Sequence, residues 1–135
     1  MIPPNYVPSS LSLSDKVKQL NMIRKSRRLY KKHVFYTRKK VSYPHKESTH
    51  IQKAKRLYGP MVLNQSLAKK TGCPLSALKE IVRKGEGAYY SSGSRPNQTP
   101  QSWGLARLAS ALTGGPASKV DSYLLKNCKK PSKKQ

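Results

Sequence analysis

Acidic residues are nearly missing. Five Asp and Glu stand against 28 Lys and Arg in 135 residues, a formal charge of +23. General acid and base catalysis draws on titratable groups with environments pushed apart, and the only carboxylates for it are Asp15, Glu47, Glu80, Glu86 and Asp121. Cysteine is scarcer still. Cys73 and Cys128 lie far apart, with no zinc knuckle or disulfide framework around them, and read as free thiols of a reducing compartment. With one Trp, one Phe and 36% hydrophobic residues the whole chain cannot form a large dry core, although a compact portion of roughly 60 to 80 residues could. No run approaches the ~20 apolar residues that cross a bilayer, and the start, Met-Ile-Pro-Pro-Asn-Tyr-Val-Pro, lacks the charged and apolar regions of a signal peptide. The expectation is a soluble protein that is not exported by that route.

What is present is positive charge, unevenly spread. Residues 1–58 carry 15 bases and two acids, 59–125 carry eight and three, and 126–135 carry five bases and no acid. Charge of this size opposes compaction unless a polyanion compensates it. The expected organisation is a basic arm over 1–58 with one or two helices, a compact helical body over 59–125, and a lysine-rich tail over 126–135. The fold class is mainly α.

Periodicity and punctuation place the elements. Three prolines and several serines make the first dozen residues an extended leader. Ser14 and Asp15 offer an N-cap, after which Val17, Leu20, Ile23 and Tyr30 recur at helical spacing among bases, predicting a helix over about 15–32. An irregular basic segment follows to Lys46, and a short helix over about 47–58 ends at Gly59-Pro60. Leu67 and Ala68, Gly72 and Pro74, then Leu78 and Ile81 have the spacing of a helix-turn-helix, with a second helix over about 74–84. Two ordinary packed helices have the same needs. The stretch from Gly85 to Pro100 is rich in glycine, serine and proline and reads as a loop. Thr99-Pro100 starts a helix to about 113, Gly114-Gly115-Pro116 ends it, and a last helix is expected over about 118–127. The expected core anchors are Leu67, Leu78, Ile81, Trp103, Leu105, Leu108 and Leu112.

Several blocks resemble a known family: Tyr6-Val7-Pro8-x-Ser10-Leu11, Ser26-Arg27-x-Leu29-Tyr30-Lys31-Lys32, Ala68-Lys69-Lys70-Thr71-Gly72-Cys73, and the long run from Gly87-Ala88-Tyr89-Tyr90-Ser91-Ser92-Gly93-Ser94-Arg95-Pro96-Asn97-Gln98-Thr99-Pro100 through Ser102-Trp103-Gly104 to Ala106-Arg107-Leu108-Ala109-Ser110. They are similar to small basic proteins encoded by nucleocytoplasmic large DNA viruses, including those of algae, with shorter relatives in phages. That resemblance implies a viral origin and a place in the virion, as a minor capsid protein assembled in the host cytoplasm. It implies no reaction.

The functional expectations follow from charge and from that resemblance. The leading one is a non-enzymatic virion component that cements major and other minor capsid proteins or faces the inner membrane. The alternative is a virion DNA-binding protein. Contacts to a partner protein, a nucleic acid or an anionic membrane surface are expected at Arg24, Lys25, Arg27, Arg28, Lys31, Lys32, Arg38, Lys39 and Lys40 in the arm. Lys79, Arg83 and Lys84 on the second helix of the pair would contact phosphates, with Arg83 a candidate for guanine. Arg95 with the hydroxyls of the Gly85–Pro96 loop would meet a phosphate or a protein, unless the loop is a packed connection. No cofactor, metal or small-molecule substrate is expected: His33, His45 and His50 sit in the arm, away from both cysteines, and the loop lacks the Gly-Lys-Ser/Thr ending of a phosphate-binding loop.

Overall fold

The computed structural model describes residues 2–43 and 48–128; His45, Glu47 and most of the lysine tail lie outside that range. Within it the chain is mainly helical and contains no strand. A 3-10 turn at Pro4–Tyr6 precedes α1 (Leu13–Tyr30), α2 (Thr49–Tyr58), α3 (Gln65–Thr71), α4 (Leu75–Ser91), α5 (Pro100–Leu112), α6 (Pro116–Val120) and α7 (Ser122–Leu125). Two units result: residues 1–46 with 86–103, and residues 47–85 with 104–135. The division expected at residue 58 is therefore drawn elsewhere, because the N-terminal segment gains its partners from the block that follows α4's midpoint.

The second unit holds the apolar core. Leu67, Leu78, Ile81, Leu108 and Leu112 are buried together with Ala54, Tyr58, Met61 and Val82, and Leu105 packs on their edge. Trp103 is not among them: it sits in the first unit, edge-on to Tyr6 at 5.7 Å between ring centroids. α3 is capped by the Asn64 side chain, which accepts from the Leu67 N–H, and it ends at Gly72 in the left-handed conformation. The expected last helix is divided into α6 and α7 around the buried Asp121. The expectation of free thiols is overturned: Cys73 and Cys128 form a disulfide that ties the chain beyond α7 to the α3–α4 joint. Their separation along the sequence conceals a proximity created by the return of α6 and α7.

The first unit is organised by polar groups. Ser12, not Ser14, caps α1, its hydroxyl accepting from the Asp15 N–H. The buried stripe of α1 is Asp15, Gln19, Ile23 and Ser26, whereas Val17 is 50% exposed. Of the apolar residues whose spacing locates this helix, Ile23 alone belongs to its buried stripe.

The reading of residues 85–91 as loop is also corrected, since α4 runs on to Ser91. Gly85 is there for packing. A Cβ at this position would lie 2.5 Å from the Gly104 Cα, so the two backbones cross where neither helix carries a side chain. Gly87 has no such neighbour; a Cβ there would meet only the Tyr30 hydroxyl at 3.8 Å. Opposite outcomes are expected from one substitution at two neighbouring glycines. Gly85→Ala should destabilise by roughly 1–3 kcal/mol through overpacking, and Gly87→Ala should stabilise by about 0.5–1 kcal/mol through helix propensity. Denaturant unfolding of both variants measures this; equal effects would remove the helix crossing as the reason for Gly85.

Candidate nucleic-acid interface

Sorting the bases by what their side chains touch separates structural cations from surface ones. Arg38 is 8% exposed. Its Nη1 donates to the Ser26 hydroxyl at 3.2 Å and to the Tyr89 carbonyl at 2.9 Å, and its Nη2 donates to the Ser94 hydroxyl at 2.7 Å. Its guanidinium carbon lies 3.8 Å from the centre of the Tyr89 ring, and the Tyr89 hydroxyl accepts from the Arg38 N–H at 2.9 Å. Both serines pass the interaction on, Ser26 donating to the Tyr90 carbonyl and Ser94 to the Arg95 carbonyl. Among the described residues no carboxylate lies within ion-pairing distance of this group. Burial pulls its pKa below the ordinary arginine value while nearby tyrosines oppose the shift, and a guanidinium remains charged regardless. Arg38 is thus a buried cation solvated by carbonyls, hydroxyls and a π-face.

The rest of the glycine- and serine-rich block serves the same frame. Gln19 donates to the Tyr6 and Ser94 carbonyls, and Arg27 donates from Nε to the Ser92 carbonyl at 2.8 Å. Asn97, at φ 62°, accepts from the Val41 N–H and donates to the Val41 and Tyr43 carbonyls. The Asp15 carboxylate accepts from the Ser42 N–H. Thr99 and Ser102 cap α5 reciprocally, each hydroxyl accepting from the other's N–H. Within the Gly85–Pro96 stretch, Ser94 is buried and engaged, as a packed connection would have it, whereas Ser91, Ser92 and Arg95 are exposed.

In the second unit Asp121 is fully buried and gathers two cations. Arg107 binds it through Nε and Nη2, each at 2.8 Å, and Lys84 donates to it at 2.9 Å while also donating to the Tyr123 hydroxyl at 2.6 Å. Lys84, expected at a phosphate, is therefore committed to an internal carboxylate. Arg83 is exposed but pairs with Glu80 at 3.2 Å, which leaves Ser76 and Lys79 as the exposed polar residues of the first turns of α4.

The other expected contacts, Arg24, Lys25, Arg28, Lys31, Lys32, Lys39 and Lys40, are exposed in the first unit. Lys25 Nζ lies 4.6 Å over the Tyr36 ring. The same unit holds a group that residue types alone do not assemble: Tyr30, Phe35 and Tyr90. Tyr30 and Tyr90 are near-parallel at 6.3 Å, and Phe35 is tilted against them at 6.0 and 5.1 Å. The sequence signal for it is the interleaving of aromatics with bases over 30–36; nothing in the sequence connects Tyr90 to that run.

Chemically this surface offers cations and ring faces. No group of three His, Cys, Asp or Glu able to hold a metal occurs among the described residues, and none of their helices is long and apolar enough to cross a membrane. A family model described as a family of unknown function, DUF5824, matches residues 3–127. The chain belongs to that family. No curated protein and no solved structure matches it. The matched span includes both units, so DUF5824 takes in the Arg38 frame and the Asp121 cluster alike.

The Asp121 cluster fixes a pH dependence. Burial alone would raise the Asp121 pKa, but hydrogen bonds from Arg107 and Lys84, reinforced by their charges, hold it below the ordinary carboxylate value. The same bond to Asp121, followed by that to Tyr123, raises the Lys84 pKa. A depressed acid stabilises the fold fully above its unfolded pKa of about 3.9, and that contribution is lost as pH falls through the lower folded value. A raised lysine contributes fully below its unfolded pKa of about 10.4 and is lost as pH rises through the folded one. Thermal midpoints should therefore fall below about pH 4, and Asp121→Asn should flatten that acid limb. Arg107→Ala should cost roughly 3–5 kcal/mol by leaving the carboxylate without its main partner. An acid limb unchanged in Asp121→Asn would place its origin in another carboxylate.

Proposed function

We propose that this DUF5824 member is a non-enzymatic nucleic-acid-binding protein of a virion, making contact through the exposed cationic face of its first unit. The single observation that carries this reading is the partition of the bases in that unit. Arg38 and Arg27 are engaged by carbonyls and hydroxyls, while Arg28, Lys31, Lys32, Lys39 and Lys40 are exposed on a folded scaffold that also carries the Tyr30, Phe35 and Tyr90 rings. A folded scaffold that keeps this many cations at its surface suits a polyanion, whose release of counterions supplies the free energy of association. The virion setting rests on the sequence resemblance.

A helix-turn-helix role for α3 and α4 is the narrower form of the same reading. The pair has the left-handed Gly72 joint such a unit needs. Against it, Lys84 is held by Asp121, Arg83 is paired with Glu80, and no Asn or Gln is carried by α4 for adenine readout. Phosphate contact without base reading is what remains for that helix.

The capsid reading stays as the second. Its basis in the sequence is a long arm able to lace between subunits, and residues 2–43 are instead engaged with the block 86–103. What favours it is a pair of exposed apolar residues one turn apart on α1, Leu13 at 79% and Val17 at 50% exposure. Two such side chains suit a protein neighbour better than a phosphate.

Salt dependence separates the candidate surfaces. Serine at Lys31, Lys32, Lys39 and Lys40 should lower the slope of log affinity against log salt for duplex DNA by about 0.9 for each phosphate that is no longer neutralised. Serine at Lys69, Lys79 and Arg83 should leave the slope unchanged. A drop confined to the second set would move the interface to α3 and α4, and no drop in either would favour the capsid reading.

A further inference from the structure

Phe35 is 67% exposed, yet its backbone is closely specified. α1 ends in a turn in which the Val34 N–H returns to the Leu29 carbonyl and the His33 N–H to the Tyr30 carbonyl, both at 2.9 Å. His33 takes the left-handed position of this turn at φ 61°, where glycine is usual. A residue with a Cβ is strained when held there. Strain of this sort persists only where the surroundings over-determine it, and it concentrates at functional sites. Its consequence is to bring Phe35 against Tyr30 and Tyr90, while Arg28, Lys31 and Lys32 on the preceding turns stay exposed.

We propose that the Tyr30–Phe35–Tyr90 cluster is a stacking platform for unpaired bases, so that the nucleic acid taken by the first unit is single-stranded. This rests on the reading of that unit as a cationic nucleic-acid surface. In a duplex the base faces are occupied by one another, whereas a single strand offers a free π-face at each nucleotide together with a phosphate for the adjoining bases. Ring faces beside a cationic track are the arrangement that binds such strands without sequence preference. Charge complementarity selects the occupant: an exposed aromatic that follows the exposed Arg28, Lys31 and Lys32 within seven residues, in a chain of +23, fits a polyanion that also carries flat apolar faces. Tyr30 and Tyr90, half-buried beneath Phe35, form the support that keeps the outer ring from collapsing onto the protein.

The test compares a 20-nucleotide oligothymidylate with a duplex of mixed sequence and equal length, at matched ionic strength, using the full chain. Phe35→Ala should weaken oligothymidylate binding about tenfold without changing its salt slope, and should leave duplex affinity within about twofold, because a stacking contact releases no counterion. Phe35→Trp should restore binding, and its fluorescence should be quenched by the oligonucleotide. Serine at Lys31, Lys32, Lys39 and Lys40 should weaken both ligands and lower both slopes. If Phe35→Ala binds oligothymidylate as the natural chain does while the lysine variant is impaired, the platform is overturned and the cationic surface stands. An unimpaired lysine variant overturns both. Loss of binding to phosphatidylserine vesicles in Phe35→Ala, with oligothymidylate unaffected, would assign the ring to a membrane surface and also overturn the proposal.

Discussion

One buried cation sets the terms for the first unit. An unsolvated ion in a protein interior costs several kcal/mol, and Arg38 has no carboxylate within reach among the described residues. Every polar feature around it follows from that constraint. α1 turns Ser26 inward because an apolar side chain there would take an acceptor from the guanidinium, and Gln19 inward to donate to the Tyr6 and Ser94 carbonyls beside it. Ser94 is fully buried because its hydroxyl must accept from Arg38 and pass a bond to the Arg95 carbonyl. Gly93, at φ 121° and within contact of Ile23 and Tyr6, lets the backbone bend to present that serine. Three of the stretches that carry the resemblance, around Tyr6, Ser26 and residues 87–103, are joined by this network: Tyr6 meets Gln19 and Trp103, Ser26 meets Tyr90, and Arg27 meets Ser92. In the run that looks like an interaction loop, Tyr89 and Ser94 serve to solvate an arginine.

The second unit solves the converse problem. There a carboxylate is buried and cations come to it, with Arg107 binding both oxygens in the planar fork geometry that guanidinium matches. Asp121 separates two short helices that neither length nor propensity would sustain alone. Its bonds reach α4 through Lys84 and α5 through Arg107, so the C-terminal segment is fastened electrostatically as well as by the Cys73–Cys128 disulfide. A chain with so few acids places one of them where it organises three elements.

How far the sequence reveals this depends on which interaction decides each element. α2 and α5 were legible because caps, stops and apolar spacing agree there: Ser48 and Gly59 bound α2, and Thr99-Pro100 starts α5. The leucine anchors were legible for the same reason, through spacing that any packed pair of helices obeys. The extension of α4 was not, since Gly85 and Gly87 speak for a break in local terms and only the crossing with Gly104 gives Gly85 its place. Arg38 was invisible as a structural residue: Lys39 and Lys40 beside it have the same charge, and only three-dimensional placement shows that one is inside and two are outside. The contact at Lys84 failed likewise, because its partner Asp121 is 37 residues away. The aromatic cluster was half legible, through Tyr30 and Phe35, with Tyr90 supplied by the return of the chain.

The division between inner and outer bases bears on what kind of recognition the surface can perform. Arg27, Arg38 and Arg107 turn to carbonyls, hydroxyls and a carboxylate, which uses the directional donors of the guanidinium for the fold. Lysines supply most of the exposed charge. An ammonium is a compact, strongly hydrated point charge that meets a phosphate without demanding a fixed geometry. Reading guanine or adenine edges calls for paired donors and acceptors on an element that fits a groove, and on α4, where the sequence led one to expect it, Arg83 faces Glu80 and Lys84 faces Asp121. Under the proposed reading, a surface so composed would follow a phosphate backbone and leave base identity unread. On that reading a preference between nucleic acids would come from their form, paired or unpaired, which is the distinction proposed for the exposed ring at Phe35.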